Sequence, residues 1–230
     1  MKKEKSAKVI AKSAKNHFEK GKALYKQNDY SAAISSFDEA IRLDPNNAKA
    51  YHNRGFVKNF LEQYFEAISD YDEAIRLDPN NAGVYFNRGN TKYTLGHPKD
   101  AISDYDKAIR LNPEFVSAYY NRSLAKIRLE QYFESISDLD MVIRLNPNDD
   151  QAYNDRGADK AKLGHHDAAI SDYDKAIRLN PDFPLAHFNR GLSKRDLGRD
   201  AEAKQDFQEA LRLAQEAGDE ELIATIKKQM

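Results

Sequence analysis

The chain repeats one sequence pattern at a fixed spacing. The stretch Ala101–Pro113 reads AISDYDKAIRLNP, and the same thirteen letters recur at Ala169–Pro181. Related stretches begin at residues 33, 67, 135 and 203, so successive copies start 34 residues apart. A fixed period of this length indicates one supersecondary unit stacked on itself, and a stack of this kind has no internal domain boundary.

Apolar residues within each period have the spacing of amphipathic helices. In residues 82–115 the second half carries a stripe at i, i+3, i+4 and i+7 that includes Ala101, Tyr105 and Ala108. Pro98 suits the first turn of this second helix, and Asn112-Pro113 ends it because a residue before proline avoids the α region. Each repeat is therefore predicted to be a helix, a short turn and an antiparallel helix. The predicted repeats are 14–47, 48–81, 82–115, 116–149, 150–183 and 184–217.

Small residues recur where neighbouring helices must touch. One register of the first helix holds glycine in five repeats, at Gly21, Gly55, Gly89, Gly157 and Gly191. Registers of the second helix hold alanine, and another holds a large aromatic residue such as Tyr105. A glycine inside a helix costs about 1 kcal/mol relative to alanine. Its recurrence indicates that the backbones of the two helices approach closely.

These features together resemble the tetratricopeptide repeat (TPR) family. The family's residues appear in register, for example as Tyr85, Gly89, Ala101, Tyr105, Ala108 and Pro113, and the resemblance covers Ala14 to about Ala217. Arginine replaces the family's usual leucine before the glycine, and in 116–149 four residues depart from the pattern: Ser123, Ser135, Leu139 and Val142. The resemblance implies an all-α fold, a right-handed superhelical solenoid of six TPR helix-turn-helix repeats.

The two ends of the chain lie outside the repeats. Residues 1–13 are a basic N-terminal lead-in, which either keeps the first repeat soluble or forms a basic arm for an acidic partner. Residues 218–230 are predicted to form a C-terminal capping helix, with Gly218 as the preceding stop and Asp219 as its N-cap. Its apolar residues would cover the last repeat, since solenoids need such caps for solubility.

Composition argues against several functional classes. Lys plus Arg is 36 and Asp plus Glu is 37, so the chain lacks the basic excess typical of nucleic-acid-binding proteins. There are no cysteines, which excludes disulfides and thiolate metal sites. The apolar run Val9–Ala11 is too short for a signal peptide, and no run approaches the roughly 18 residues of a membrane span. We therefore expect a cytoplasmic protein that binds neither nucleic acid nor membranes.

No residue pattern in the sequence indicates catalysis. The chain has no glycine-rich phosphate loop, and its acidic pairs recur with every repeat, whereas catalytic carboxylates would be expected once. His97 and His165-His166 lie in predicted turns two repeats apart, too far for a shared metal. We expect no enzyme activity, no catalytic residues, no metal site and no cofactor.

Two sets of charges recur with the repeat. In repeats two to six an Arg, a Lys four residues later and an Asp of the second helix occur together, as in Arg88, Lys92 and Asp104. Repeat one lacks all three, which predicts direct contact between them. The rival interpretation is a stripe of cations that faces phosphate. A second set, which pairs Asp38 with Arg42 and their equivalents, predicts i,i+4 surface ion pairs.

The resemblance also places a ligand groove along the first helices, which line the concave side of family solenoids. Carried over by position, the lining residues include these: His52, Phe56, Phe60, Phe86, Asn90, Tyr93, Tyr120, Leu124 and Ile127. The alternative is that each of them packs against a neighbouring first helix. Some family members grip a chaperone C-terminal carboxylate with Lys, Asn and Arg. Here Phe86, Gln151 and Asp155 stand where cations are required, so no chaperone carboxylate clamp is expected.

Asparagine recurs at one position of the groove, at Asn53, Asn87, Asn121 and Asn189, and Asp155 fills the gap. This run resembles the asparagine ladder of the TPR superhelix in O-linked N-acetylglucosamine transferase. An asparagine amide both donates and accepts, so it can bind a peptide backbone of any sequence. The alternative is that each asparagine bridges adjacent helices.

Two functions from different classes follow. The first is a non-enzymatic scaffold or adaptor that binds a protein or peptide partner, in extended form, in the groove. The second is a structural self-assembly protein, a homo-oligomer in which solenoids associate or the terminus of a neighbouring chain fills the groove.

Overall fold

The fold is all-α, as predicted. A computed structural model describes residues 2–230, with side chains from residue 8 onward, and this part of the chain contains helices and no strands. The helices are α1 (Lys2–Lys26), α2 (Tyr30–Leu43), α3 (Ala48–Phe60), α4 (Tyr64–Leu77), α5 (Ala82–Thr94), α6 (Pro98–Leu111), α7 (Val116–Ile127), α8 (Tyr132–Leu145), α9 (Asp150–Lys162), α10 (His166–Leu179), α11 (Pro184–Asp196), α12 (Asp200–Ala217) and α13 (Glu220–Lys227).

The helices form two compact units, Met1–Phe115 and Val116–Met230. In the N-terminal unit α1 packs on α2, α3 on α4 and α5 on α6, and each second helix also packs on the first helix that follows it. The C-terminal unit repeats this arrangement with α7 to α12, and α13 packs on α12. Each unit is thus a stack of helix pairs, the architecture that the 34-residue period predicts.

Local sequence explains where the helices begin and end. Asn47 and Asp149 are N-caps whose side chains accept hydrogen bonds from backbone N–H groups three residues later. Pro98 occupies the first turn of α6, as predicted, and α6 ends one residue before Asn112-Pro113. The turn inside each pair contains one left-handed residue, which is glycine in three repeats and Asn28, Glu62 or Glu130 in the others.

In every repeat except the fourth, the core of the helix pair is built from an aromatic ring against a glycine. Tyr71, Tyr105 and Tyr173 are almost completely buried, and so are the alanines that flank them along the second helices. Repeat four differs in its side chains and keeps its burial, because Leu139, Val142, Ser123 and Ser135 all have no exposed surface.

The segments outside the repeats are largely helical where the structure describes them. Gly218 is left-handed and ends α12, the Asp219 side chain accepts from Leu222 N, and Ile223 and Ile226 of α13 are buried against the last pair. The predicted capping helix is therefore present. The predicted basic lead-in is the first part of α1, whose Lys8 and Lys12 are exposed, while Met1 and the side chains of Lys2, Lys3 and Lys5 lie outside the described residues.

Candidate functional site

The recurring Arg, Lys and Asp form ion pairs inside each repeat, as predicted. Arg88 Nη2 lies 2.6 Å from Asp104 Oδ1, and Lys92 Nζ lies 2.8 Å from Asp104 Oδ2. The same three positions pair in repeats two, four, five and six. The aspartates are buried and the arginines are about four-fifths buried. These cations therefore hold the two helices of a repeat together, and the structure favours this role over a stripe that faces phosphate.

The prediction for the second charge set was wrong. Arg42 binds Glu39 through two hydrogen bonds, and Asp38 instead accepts from Arg54 Nη1 of the next repeat at 2.6 Å. Asp72, Asp140 and Asp174 pair in the same way with Arg88, Arg156 and Arg190. The planar guanidinium explains the difference, because its several N–H groups reach two carboxylates at once. Each of these arginines thus joins its own repeat to the preceding one.

Adjacent first helices are bridged by side-chain hydrogen bonds at one register. Asn87 Nδ2 lies 2.8 Å from His52 Nε2, and Asn189 Nδ2 donates to Asn154 Oδ1 at 3.0 Å. Burial lowers the pKa of His52, so the neutral imidazole accepts the bond from Asn87. For Asn87 and Asn189 the structure favours helix bridging, the alternative to a ladder that binds peptide. Asn121 is half-buried.

In the C-terminal unit, the position equivalent to Asn87 is occupied by a carboxylate, Asp155, in repeat five. Tyr120 Oη donates to Asp155 Oδ2 at 2.8 Å, between α7 and α9. Burial raises the pKa of Asp155, while its hydrogen bonds from Tyr120, Asn154 and Gln151 oppose the shift. Tyr120, predicted to grip a peptide, is thereby engaged within the protein.

Asn53 differs from Asn87 and Asn189. Its Nδ2 donates to Lys49 O at 2.7 Å, within its own helix α3. The preceding first helix carries Phe18 where the other bridged pairs have His52, Tyr120 or Asn154, and a phenyl ring offers no hydrogen-bonding atom. The Asn53 amide consequently does not bridge two helices.

Two exposed aromatic residues lie on the same helix as Asn53, and each packs against a half-buried tyrosine. Phe56 is 40% exposed and Phe60 is 56% exposed. The ring of Phe56 lies 5.6 Å from that of Tyr25, edge to face, and the ring of Phe60 lies 4.6 Å from that of Tyr30. We call these four residues the N-terminal aromatic cluster. An exposed apolar patch of this kind is typical of an interaction site.

A cavity of about 180 Å³ opens beside the N-terminal aromatic cluster, between α1, α2 and α3. It is lined by Lys22, Tyr25, Lys26, Phe37, Asn53, Phe56 and Val57. The Phe37 and Val57 side chains are buried, and Lys22 and Lys26 bring positive charge to the rim. Its walls offer apolar surface, an amide and the Lys26 ammonium to a ligand, while Lys22 pairs with Glu19 at 3.0 Å. We call it the N-terminal cavity.

The C-terminal unit has a cavity at the equivalent place, four repeats further along. It measures about 280 Å³ and is lined by Ala158, Ala161, Lys162, His166, Tyr173, Asn189, Leu192, Ser193 and Asp196. Ala161 stands where Tyr25 stands in the N-terminal cavity, so this one is wider. His166 Nδ1 lies 3.7 Å from Asp196 Oδ2. The two cavities therefore share a position in the repeat and differ in chemistry.

The other residues predicted for the groove are partly engaged in packing. The Phe86 ring lies 6.0 Å from that of Tyr105 and 4.8 Å from that of Phe115, and Asn90 Oδ1 accepts from Tyr105 Oη at 2.9 Å. Tyr93, Leu124 and Ile127 are half-buried. Among all the predicted residues, Phe56 and Phe60 are the most exposed.

Sequence reasoning missed three residues of the N-terminal cavity, namely Lys22, Tyr25 and Lys26. They lie on α1, the first helix of repeat one, for which the sequence pattern predicted Gly21 as a packing residue and no groove residue. Extending the register of Phe56 and Phe60 back by 34 residues would have reached Lys22 and Lys26.

Within the part of the chain that the structure describes, no group of three or more His, Asp or Glu side chains is placed to hold a metal ion. The helices there also lack the combination of length and apolar character that crossing a membrane needs.

Several known proteins are similar to this chain. Among solved structures, MamA is 30% identical, with a TM-score of 0.69 over 72% of this chain and 96% of that chain. YrrB, described as a TPR protein with an unusual peptide-binding site, is 26% identical, with a TM-score of 0.67 over 74% of this chain and 88% of its own. Pseudomonas aeruginosa pilF is 16% identical, with a TM-score of 0.76 over 96% and 100%, a likeness in fold alone.

The family comparison identifies the repeats themselves. Curated proteins give no match. Residues 21–58, 61–96 and 159–194 match the family model described as TPR repeat, and residues 82–115 and 184–217 match two models of the tetratricopeptide repeat. Because these matches together cover more than half of the chain, and MamA is similar over nearly its whole length, the chain belongs to the tetratricopeptide repeat family.

Proposed function

We propose that this protein is an interaction scaffold that binds an extended segment of a partner protein along its first helices, at the N-terminal cavity. The observation that carries the proposal is the coincidence of three features there: exposed aromatic rings, a cavity of about 180 Å³, and an asparagine that does not bridge helices. Membership of the TPR family supports the coarser role, a scaffold for other proteins.

The cavity suits one apolar side chain of a peptide. Phe56 and Tyr25 stand at its wall and Phe37 and Val57 are buried within it. Covering an exposed phenyl ring with a ligand removes apolar surface from water, at roughly 25 cal/mol for each Å². Phe60 and Tyr30 extend the apolar surface along α3, so a second side chain of the peptide can rest there.

Asn53 suits the peptide backbone. Its amide can donate to a peptide carbonyl and accept from a peptide N–H. The present bond to Lys49 O lies within one helix, so exchanging it for a peptide leaves the packing of α1 on α3 in place. Asn87 and Asn189 differ, because exchanging their bonds would release a contact between two helices.

Charge at the rim indicates the kind of peptide. Lys26 lines the cavity, whereas Lys22, also at its wall, already pairs with Glu19 at 3.0 Å. Complementary charge increases the rate and specificity of association. We therefore expect an apolar side chain flanked by Asp or Glu. YrrB, a relative described as having an unusual peptide-binding site, supports peptide binding as a function of this kind of repeat stack.

The test is peptide selection followed by calorimetry. A displayed peptide library is selected on the full chain, and the affinity of the best peptide is measured for Asn53→Ala with Phe56→Ala. We expect the dissociation constant to rise at least about tenfold, which corresponds to about 1.4 kcal/mol. Both side chains are partly exposed, so the double variant is expected to fold.

Matched variants make the result specific. Leu192→Ala changes the equivalent residue of the C-terminal cavity and is expected to leave the affinity unchanged. Asn87→Ala is expected to reduce stability more than affinity, since it removes a helix bridge. Unchanged affinity in the folded Asn53→Ala, Phe56→Ala variant would contradict the proposed site.

A further inference from the structure

A third cavity lies in the C-terminal unit, away from the proposed peptide site. It measures about 410 Å³ and opens between the start of α11 and α13. Phe183, Pro184, Leu185 and Leu222 give it apolar walls, and Thr225 completes the lining. Asp219 and Glu221 also line it and bring negative charge to it. The cavity thus suits an apolar group carried by a basic segment.

A segment of that chemistry is present in the same chain. Among the side chains of helix α1 that are described, from residue 8 onward, the first buried one is Ala14, so at least about 9 Å of helix precedes it. On this stretch Val9 is 67% exposed and Ile10 is 44% exposed. Lys8 and Lys12 flank them and are exposed too. Two adjacent apolar side chains are therefore presented to solvent on a basic helix.

We propose that the protein associates head to tail, with Val9 and Ile10 of one copy seated in the α11–α13 cavity of a second copy. Lys8 and Lys12 then face Asp219 and Glu221 of the second copy. Charge distinguishes this head-to-tail arrangement from arrangements that join two identical ends. Joining two N-terminal helices would oppose lysine to lysine, and joining two cavities would oppose carboxylate to carboxylate. Only the pairing of unlike ends satisfies both the charges and the apolar groups, which makes the interface heterologous.

The small area of the proposed contact between the two copies limits its affinity. Two aliphatic side chains and a few charges amount to an interface well below the roughly 1,200 Å² of stable complexes. The association is therefore weak and transient, and it depends on salt because exposed charges are screened. It does not rest on the peptide site, since none of these residues lines the N-terminal cavity.

The first measurement is sedimentation velocity of the full chain over a range of concentrations, in dilute buffer and at about 0.5 M salt, where the screening length is only a few ångströms. We expect the mean mass to rise with concentration at low salt and the dissociation constant to rise at least about tenfold at high salt. A monomer at every concentration in dilute buffer would overturn the proposal.

Complementary variants then test the direction of the contact. Val9→Ser with Ile10→Ser damages the helix and leaves the cavity intact, whereas Glu221→Lys with Leu222→Ser damages the cavity and leaves the helix intact. Neither variant should associate with itself, while an equimolar mixture should form a one-to-one complex. Circular dichroism establishes that each variant is folded before they are mixed.

Other outcomes point away from the proposal. Association that persists in either variant alone, or a mixture that stays monomeric, would show that the two ends do not bind each other. If the full chain is monomeric but its cavity binds a basic amphipathic peptide from another protein, the occupant is a foreign helix and the second copy is excluded. A fluorescent peptide of residues 1–16, titrated into the full chain and into the Glu221→Lys, Leu222→Ser variant, separates these cases.

Discussion

A Cβ atom placed on Gly89 would lie 2.8 Å from Cε1 of Tyr105, closer than real side chains approach. The same conflict occurs between Gly157 and Tyr173 at 2.7 Å. Repeat four avoids it, because Ser123 occupies the glycine position and Leu139 the aromatic position, and both are fully buried. The glycine and the aromatic ring are therefore one packing unit that varies together within the chain.

This relationship predicts that substitutions at Gly89 and Tyr105 have strongly non-additive effects on the free energy of unfolding. Gly89→Ser alone forces the serine side chain against the ring and should destabilise the protein by about 1–3 kcal/mol, as overpacking does. Adding Tyr105→Leu recreates the pair found in repeat four, so the double variant should be more stable than the sum of the single effects predicts. Urea unfolding of the four proteins in a double-mutant cycle measures the coupling. Additive effects would contradict it.

A second prediction concerns the buried ion pairs. Arg88 is about four-fifths buried and Asp104 is 4% exposed, so Arg88→Ala leaves a buried carboxylate with Lys92 as its ammonium partner. We expect a loss of about 3–5 kcal/mol in the free energy of unfolding. Replacing the whole set, with Arg88→Met, Lys92→Met and Asp104→Leu, should recover part of that loss.

Arg76 supplies the matched control for Arg88. It binds Glu73 through its guanidinium on the exposed surface of α4. Surface pairs contribute little, so Arg76→Ala should leave the urea midpoint nearly unchanged. A comparable loss in Arg76→Ala and Arg88→Ala would mean that burial does not decide the effect.

The repeat explains why so much of the fold was predictable. A feature that recurs every 34 residues can be recognised by comparing the repeats of a single sequence with one another. The helix pairs, the glycine positions and the recurring Arg, Lys and Asp set were predicted in this way. Gly218 and Asp219 followed from the ordinary chemistry of helix ends. These are local properties, or properties that every repeat shares.

The errors concern contacts that cross from one repeat to the next. The periodic pattern places Asp38 four residues before Arg42, and nothing in that spacing shows that Arg54 reaches back to Asp38. Similarly, the role of each asparagine depends on the residue 35 positions earlier, so His52 engages Asn87 while Phe18 leaves Asn53 on its own helix. The cavities arise from such differences between repeats. A consensus sequence of the repeat omits these differences and therefore does not predict the cavities.

A third prediction concerns local stability in residues 116–149. Ser135 is fully buried, replaces the alanine of other repeats, and its hydroxyl has no hydrogen-bond partner. Burying a hydroxyl in this state is unfavourable by about 1–3 kcal/mol. Amide hydrogen exchange should therefore be fastest in this repeat among the inner four, and Ser135→Ala should slow it. Faster exchange in 82–115 or 150–183 would contradict this.

The last prediction concerns Asp159, a buried carboxyl on α9. Its side chain is 2% exposed and its Oδ2 has no hydrogen-bond partner. Burial raises the pKa of Asp159 to about 6, and the charge of Asp155 adds to this shift. The Ser135 hydroxyl opposes the shift by its proximity, although it lies outside hydrogen-bonding geometry. The other five repeats have Ala23, Val57, Thr91, Ala125 or Ser193 at this position, so the ionisable group is peculiar to repeat five.

The direction of the pH effect follows from the raised pKa. Between about pH 4 and pH 6 the folded protein keeps a proton on Asp159 that the unfolded chain has released, so the stability of the fold decreases as pH rises through this range. Above it, the folded state carries a buried charge. Asp159→Asn removes the charge and should stabilise the protein at neutral pH by about 2 kcal/mol. Below about pH 4 both side chains are neutral, and the difference should vanish.

Urea unfolding of the two proteins across this pH range measures the effect, with Asp182→Asn as the control, because Asp182 is exposed in the same repeat. The free energy of unfolding of the Asp182→Asn control should equal that of the parent protein at every pH. If Asp159→Asn stabilises equally at low and at neutral pH, its effect arises from packing or hydrogen bonding and the carboxyl does not titrate in this range. If it destabilises at neutral pH, the Asp159 carboxylate has a favourable partner in solution, which would place a bound cation or water at Oδ2.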